Sequence, residues 1–154
     1  DGYDEHTFAP DDNVTREQFL KMLLVAMGTE NEDAENTFAD VAENAWYKPY
    51  VLTAKKLGIV NGVSDTQFGI GMNITRQDMA VMISRILEDS DVDTSSAEDF
   101  KDMNSVSSYA KDAVKFMKSI GLIEGYNGKC RPLDNLTRAE AAKVINALIK
   151  ITEE

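Results

Sequence analysis

The chain contains one short phrase three times, and this repeat constrains the fold more than any other feature of the sequence. The phrase reads NVTREQFLKML at 13–23, NITRQDMAVMI at 73–83 and NLTRAEAAKVI at 135–145. Its threonines, Thr15, Thr75 and Thr137, recur at intervals of 60 and 62 residues. A near-constant period predicts that one supersecondary unit is used repeatedly.

A longer template surrounds the phrase. The segment FADVAENAWYKPYVLTAKKLGIVNG at 38–62 aligns with FKDMNSVSSYAKDAVKFMKSIGLIEG at 100–125, whereas the first unit has only its second half. A glycine (Gly2, Gly62 or Gly125) opens the turn-rich loop ahead of each phrase. We therefore assign repeats to 1–28, 38–88 and 100–150, and we expect their apolar faces to be buried together in one compact domain.

Each full unit reads as helix, loop, helix, so the chain is predicted to be mostly α. Apolar residues at helical spacing predict first helices near 46–57 and 109–120, each followed by a C-terminal glycine, Gly58 or Gly121. The second helices should begin after the threonines. The residues three positions after these threonines are Gln18, Asp78 and Glu140. They predict a capping box in the first and third phrases and a similar arrangement, with Asp in place of Glu or Gln, in the second. A hydrophobic staple is predicted between Val14 and Phe19, Ile74 and Met79, and Leu136 and Ala141.

Composition excludes several classes of function. A formal net charge of −11 argues against a general basic surface for nucleic acid, and no apolar run approaches transmembrane length. His6 and Cys130 are too few for a zinc site, and Cys130 aligns with Phe8 and Phe68, which indicates a packing position. The alternation of Asp89, Asp91 and Asp93 lacks the glycine of a calcium loop. We expect no catalytic set, no metal site and no cofactor.

An arginine follows each capping threonine, at a place where local electrostatics favour an acidic residue. One interpretation is that Arg16, Arg76 and Arg138 bind an anion together with free N–H groups at the helix start. The other is that each arginine pairs with a carboxylate, such as Asp40 or Asp102, in an adjacent unit. Local physics alone favours the second interpretation, and both can hold if the ion pair orients the arginine.

Trp46 and its counterpart Tyr109 stand at the start of the first helices. Aromatic faces suit the C–H faces of sugars, and the indole N–H can donate a hydrogen bond. The alternative is that these rings anchor the core, and the sequence does not favour either role.

Together these features resemble the S-layer homology (SLH) domain. In the second repeat the family pattern is matched in order by FADV, Trp46, LGIVNG, Phe68 and ITRQD. In the third repeat it is matched by FKDM, IGLIEG, Pro132 and LTRAE. The first repeat offers FAP and VTREQ. The resemblance implies a pseudo-threefold spindle around a central helical bundle. Departures from the pattern, chiefly Tyr109 for Trp, Cys130 for Phe and the missing first half unit, predict unequal sites.

The resemblance also implies a function. Such domains anchor exported bacterial proteins at the cell surface by binding secondary cell-wall polymers, often with a pyruvate ketal, in grooves between repeats. By that likeness the site residues are Arg16, Arg76, Arg138, Trp46, Tyr109, Asp40, Asp102, Gly62 and Gly125. The expected partner is an anionic cell-wall polysaccharide, with no nucleic acid and no membrane insertion. The alternative is a structural or protein-interaction array in surface-layer assembly, with self-association through the incomplete first repeat.

Overall fold

The computed structural model describes residues 10–88, 98–123 and 125–153. Within them lie five α-helices: α1 (Arg16–Ala26), α2 (Lys48–Lys56), α3 (Arg76–Ile86), α4 (Lys111–Ser119) and α5 (Arg138–Thr152). Two 3₁₀ turns, Met103–Ser105 and Ser108–Ala110, precede α4. The only extended pairing among the described residues consists of isolated antiparallel bridges, so the predicted mostly-α repeat fold is confirmed. Gly2, His6, Phe8 and the alternating aspartates at 89–93 lie outside the described residues.

The helix starts follow the predicted capping chemistry. The hydroxyl oxygens of Thr15, Thr75 and Thr137 accept hydrogen bonds from the backbone N–H three residues on, at 3.2, 3.3 and 3.2 Å. The reciprocal bond of a capping box is present in α1 and α5. The apolar residues on both sides of each cap are buried, as a staple requires: Val14 with Phe19, Ile74 with Met79, and Leu136 with Ala141.

The chain divides into two compact units, which differ in their bounds from the three repeats of the sequence. The first contains residues up to 74 together with 137–154, and the second contains 75–136. In the first unit α1 packs against α2 and α5, and in the second α3 packs against α4 and the turn Ser108–Ala110. Each of the helices α1 and α3, which end a repeat, therefore packs against the first helix of the following repeat. The placement of the three repeats about a common axis, and their union in one domain, stay predictions.

A backbone contact joins each Thr-Arg step to the loop of another repeat. The N–H of Arg16 donates to the carbonyl of Met72 at 2.9 Å, and in the second unit Arg76 donates to Asp134 at 3.0 Å. The N–H of Arg138 donates to the carbonyl of Asp12 at 2.9 Å. Each accepting residue lies three positions ahead of a capping threonine, so the same contact forms three times. It satisfies an N–H group that the first turn of a helix leaves without a helical partner.

Two classes of glycine serve different purposes. Gly58 and Gly121 end α2 and α4 with φ of 78° and 77°, as predicted, and a Cβ there would meet no atom within 4 Å. Gly62 has φ of 95°, and a Cβ there would lie 2.6 Å from the carbonyl oxygen of Gln67 and 2.7 Å from the Phe38 ring. Gly125 is similarly enclosed, with Phe100 at 2.6 Å. These loop glycines thus allow the phenylalanine that opens each repeat to pack against the backbone.

Gly62→Ala should destabilise the chain more than Gly58→Ala. Both changes force a left-handed alanine, which costs about 1–2 kcal/mol, but only Gly62→Ala also drives a methyl group into backbone and a buried ring. We expect the Gly62→Ala loss to exceed the Gly58→Ala loss by about 1–3 kcal/mol, measured by urea unfolding followed by helical circular dichroism. Equal losses would contradict the packing role of Gly62.

Candidate functional site

Asp40 and Asp102 hold the loops that lead to the next Thr-Arg phrase. Asp40 Oδ1 accepts from the N–H of Phe68 at 2.8 Å, and Oδ2 accepts from Gly69 and Ile70 at 2.8 and 2.9 Å. Asp102 does the same in the second unit, where its two oxygens each accept at 2.9 Å from the N–H groups of Cys130 and Arg131. Each carboxylate therefore fixes the backbone of a loop at successive peptide groups.

These backbone donors change the acidity of both carboxyls. Burial alone would raise the pKa of Asp40, but the N–H donors of Ile70, Phe68 and Gly69 outweigh it and hold the pKa below its ordinary value. Asp102 shows the same balance, in which burial is outweighed by the Cys130 and Arg131 N–H groups and by the Cys130 thiol. Both groups are thus ionised at neutral pH.

The arginines contact the same loops through a different atom. Arg16 Nε donates to the carbonyl of Phe68 at 3.1 Å, and Arg76 Nε donates to the carbonyl of Cys130 at 2.8 Å. Arg138 Nε is buried and has no hydrogen-bond partner among the residues that the structure describes. The residue that aligns with Phe68 and Cys130 in the first repeat is Phe8, which lies outside the described residues. In each of these two loops the aspartate therefore binds backbone N–H groups, and the arginine binds a backbone C=O group.

The arginine environments differ between repeats. The Arg16 guanidinium lies over the Phe68 ring, 5.0 Å from its centroid, a favourable cation–π distance. Cys130 replaces that ring in the second unit, and Arg76 is half-buried there, whereas Arg16 and Arg138 are each only 5% exposed. The three arginines therefore have unequal surroundings, and the inequality of the three sites stays a prediction.

Cys130 occupies the packing position that the alignment predicted. It is 3% exposed, and its thiol donates to Asp102 Oδ1 at 3.4 Å. Burial, together with the hydrogen bond and the charge of Asp102, raises the pKa of the thiol to about 12. Because the thiolate is the nucleophilic form of cysteine, this residue is poorly suited to covalent chemistry.

Trp46 and Tyr109 are exposed, so neither is a core anchor. Trp46 is 51% exposed, and Lys21 Nζ lies 5.5 Å from its ring centroid. Tyr109 is 62% exposed, and its hydroxyl donates to Asp78 Oδ1 at 2.5 Å. Each ring therefore contacts the helix that begins with the arginine of the preceding repeat.

Glu17 and Gln77 take part in these arrangements, although sequence reasoning did not assign them to the site. Both Glu17 carboxylate oxygens accept from the N–H of Gly71 at 3.1 Å. Gln77 Nε2 donates to Ser107 Oγ at 2.9 Å and to the Tyr109 hydroxyl at 3.2 Å, while its Oε1 accepts from the Ser107 N–H. Their signal in the sequence was a polar residue directly after the arginine in two repeats, where the third has Ala139.

No described helix is both long enough and apolar enough to cross a bilayer. Across residues 10–88, 98–123 and 125–153, no three His, Cys, Asp or Glu side chains come together in a way that could hold a metal ion.

The depressed pKa values predict a specific acid sensitivity. The unfolded pKa of both aspartates is near 3.8 and the folded pKa is lower. Their contribution to stability should therefore be complete above about pH 5 and lost as the pH falls through the folded pKa. Asp40→Asn should lower the urea midpoint at pH 7 and flatten its dependence on pH between about pH 5 and pH 2. Asp65→Asn, at an exposed aspartate, should keep the wild-type pH dependence, and an unchanged acid slope in Asp40→Asn would refute the loop-holding role.

Comparison with known proteins places these observations in a family. The model of the S-layer homology domain matches residues 1–20, 37–80 and 99–142. The chain is 36% identical over 147 residues to an endoglucanase of Bacillus sp. (strain KSM-635), which covers 93% of this chain and 15% of that protein. It is 27% identical over 146 residues to the S-layer protein sap of Bacillus anthracis, covering 94% of this chain and 18% of that protein.

An amylopullulanase of Thermoanaerobacterium thermosulfurigenes is 29% identical over 154 residues, covering 97% of this chain and 8% of the enzyme. The chain thus spans less than a fifth of the length of each of these three relatives. The shared segment occurs in proteins with different enzymatic names and in surface-layer proteins alike. The chain belongs to the S-layer homology domain family, and it is a non-catalytic module that anchors proteins at the bacterial cell surface, in association with the wall.

Proposed function

We propose that this module binds an anionic cell-wall polysaccharide, with Arg16, Arg76 and Arg138 meeting its acidic groups and Trp46 and Tyr109 stacking on sugar rings. The observation that carries the proposal lies at the start of α3 in the second unit, where Tyr109 meets the residues that follow Arg76. There the exposed Tyr109 is joined by hydrogen bonds to Gln77 and Asp78, directly after Arg76. An exposed aromatic ring at the same helix start as a half-buried arginine suits a sugar that carries a carboxylate.

The first unit supports the same chemistry. Trp46 is exposed beside Lys21 of α1, and α1 begins at Arg16. The whole chain carries a formal charge of −11, so an anionic polymer would be held by these local cationic groups against a repulsive background. Sugars bearing a pyruvate ketal, the ligand that the family resemblance implies, offer both a carboxylate and apolar C–H faces.

Asp40, Asp102, Gly62 and Gly125 support the proposal indirectly. Their contacts are with backbone groups, with the Cys130 thiol and with buried phenylalanine rings. We therefore propose that they shape the loops whose carbonyls hold Arg16 and Arg76, and that they do not touch the polymer.

A structural role for the arginines is the second candidate function, and one observation favours it. Arg16 and Arg138 are each 5% exposed, and Arg16 Nε already binds a loop carbonyl. In that case the chain would serve as an interaction array in surface-layer assembly, and changes to these arginines would act through the fold.

Variants in the second unit separate the two candidates, because Arg76 and Tyr109 are the more exposed members of their classes. Arg76→Ala and Tyr109→Ala should each lower the affinity for purified cell-wall material about tenfold or more, from the loss of a charged hydrogen bond or a stacking face. Sedimentation with wall fragments measures the affinity, and urea unfolding of the same variants measures the fold.

Matched controls lie close by. Arg85→Ala removes an arginine from the other end of α3, and Tyr126→Ala removes an aromatic that is 67% exposed; both should bind walls normally. Undiminished binding by Arg76→Ala would overturn the proposed site, and an unfolding midpoint that falls in parallel with binding would favour the structural role.

Walls stripped of pyruvate should bind the wild type weakly if the ketal carboxylate is the recognised group.

A further inference from the structure

Gln77, the residue directly after Arg76, is polar and buried. It is 4% exposed, and each polar atom of its side chain has a partner. Its Nε2 donates to Ser107 Oγ at 2.9 Å and to the Tyr109 hydroxyl at 3.2 Å, while its Oε1 accepts from the Ser107 N–H at 2.9 Å. A buried amide that is bound through both N–H donors and its oxygen is held in one orientation. Gln77 therefore links the start of α3 rigidly to the turn Ser108–Ala110.

The Tyr109 hydroxyl is bound by two consecutive residues of α3. It accepts from Gln77 Nε2 at 3.2 Å and donates to Asp78 Oδ1 at 2.5 Å. A phenol has a single O–H donor, so a hydroxyl that donates to Asp78 has no proton left for a sugar oxygen. Tyr109 is nevertheless 62% exposed. What it offers to a ligand is ring surface, in a position that the two hydrogen bonds fix.

The first unit lacks this link. The residue at the Gln77 position there is Glu17, whose two carboxylate oxygens accept from the N–H of Gly71. Trp46 stands at the Tyr109 position, and an indole, which can only donate, could not accept a hydrogen bond from a glutamine Nε2. Gln77 and Tyr109 both differ from their counterparts in the first unit, and the two differences meet in one hydrogen bond.

We propose that Gln77 is a positioning residue that fixes the Tyr109 ring as a preformed stacking surface, so that the second unit contacts a sugar through its apolar C–H faces and not through the tyrosine hydroxyl. This role rests on the polysaccharide binding proposed above. A side chain that is already ordered loses less freedom on binding, which raises the affinity without adding a contact. Loss of the Gln77 donors should therefore weaken wall binding, although Gln77 itself is buried.

Two conservative changes break the link, one from each side. Tyr109→Phe keeps the ring and removes the hydroxyl, whereas Gln77→Glu keeps an acceptor for the Ser107 N–H and removes the Nε2 donors. Each change should lower the affinity for purified cell-wall material about fivefold, because the ring remains but is no longer held. The matched control is Tyr126→Phe, which removes the hydroxyl of a tyrosine that is 67% exposed and should bind walls normally.

The double variant separates positioning from added charge. Gln77→Glu brings a negative charge, which would weaken the binding of an anionic polymer whether or not residue 109 has a hydroxyl. If Gln77 acts through Tyr109, the double variant should bind about fivefold more weakly than the wild type, like each single variant, and not about 25-fold more weakly. Binding is measured where urea unfolding shows every variant to be folded, so a purely structural role would leave the affinities unchanged.

The losses expected for Arg76→Ala and Tyr109→Ala provide the reference. If both of these variants bind walls as the wild type does, the polysaccharide site is wrong, and the role of Gln77 falls with it. If both lose binding while Tyr109→Phe or Gln77→Glu keeps the wild-type affinity, the site stands and the positioning role of Gln77 is overturned. Losses that multiply in the double variant would overturn that role as well.

Discussion

The fold depends on a contact in which the first turn of one helix is completed by the loop of another repeat. A helix start leaves backbone N–H groups without helical partners, and the capping threonine satisfies only part of this need. The remaining donors find loop carbonyls: Arg16 reaches Met72, Arg76 reaches Asp134 and Arg138 reaches Asp12. Because the acceptor comes from a different repeat, no repeat can complete its own second helix.

This contact also explains why the loops need such firm support. A loop can serve as an acceptor only if its peptide groups stay in place, and Asp40 and Asp102 achieve this by accepting successive N–H groups. The arginine adds a second tie through Nε to a carbonyl of the same loop. An arginine at a helix N-terminus is electrostatically unfavourable, and its hydrogen bond to a buried carbonyl offsets that cost. Structural and binding roles can therefore reside in one side chain.

Repetition makes local differences informative. Cys130 in place of a phenylalanine removes the ring that covers the guanidinium, and Arg76 is more exposed than Arg16. Ala139 in place of Glu17 or Gln77 removes a polar link, and Ala139 is exposed where Glu17 and Gln77 are buried. These two departures from the repeat thus coincide with changes in the burial of Arg76 and of Ala139, which is why the three copies are not expected to behave alike.

The sequence by itself determined the local chemistry: the repeat, the helix starts at Thr15, Thr75 and Thr137, and the left-handed glycines Gly58 and Gly121. These follow from interactions within a few residues, which a one-dimensional pattern records directly. Tertiary structure decided what depends on distant neighbours. Trp46 and Tyr109 could equally have been core or surface residues. Asp40 and Asp102 were one candidate set of partners for the arginine side chains, and the structure shows that they accept backbone N–H groups. Burial and hydrogen-bond partners are set by which segments meet in space, and spacing along the chain does not contain that information.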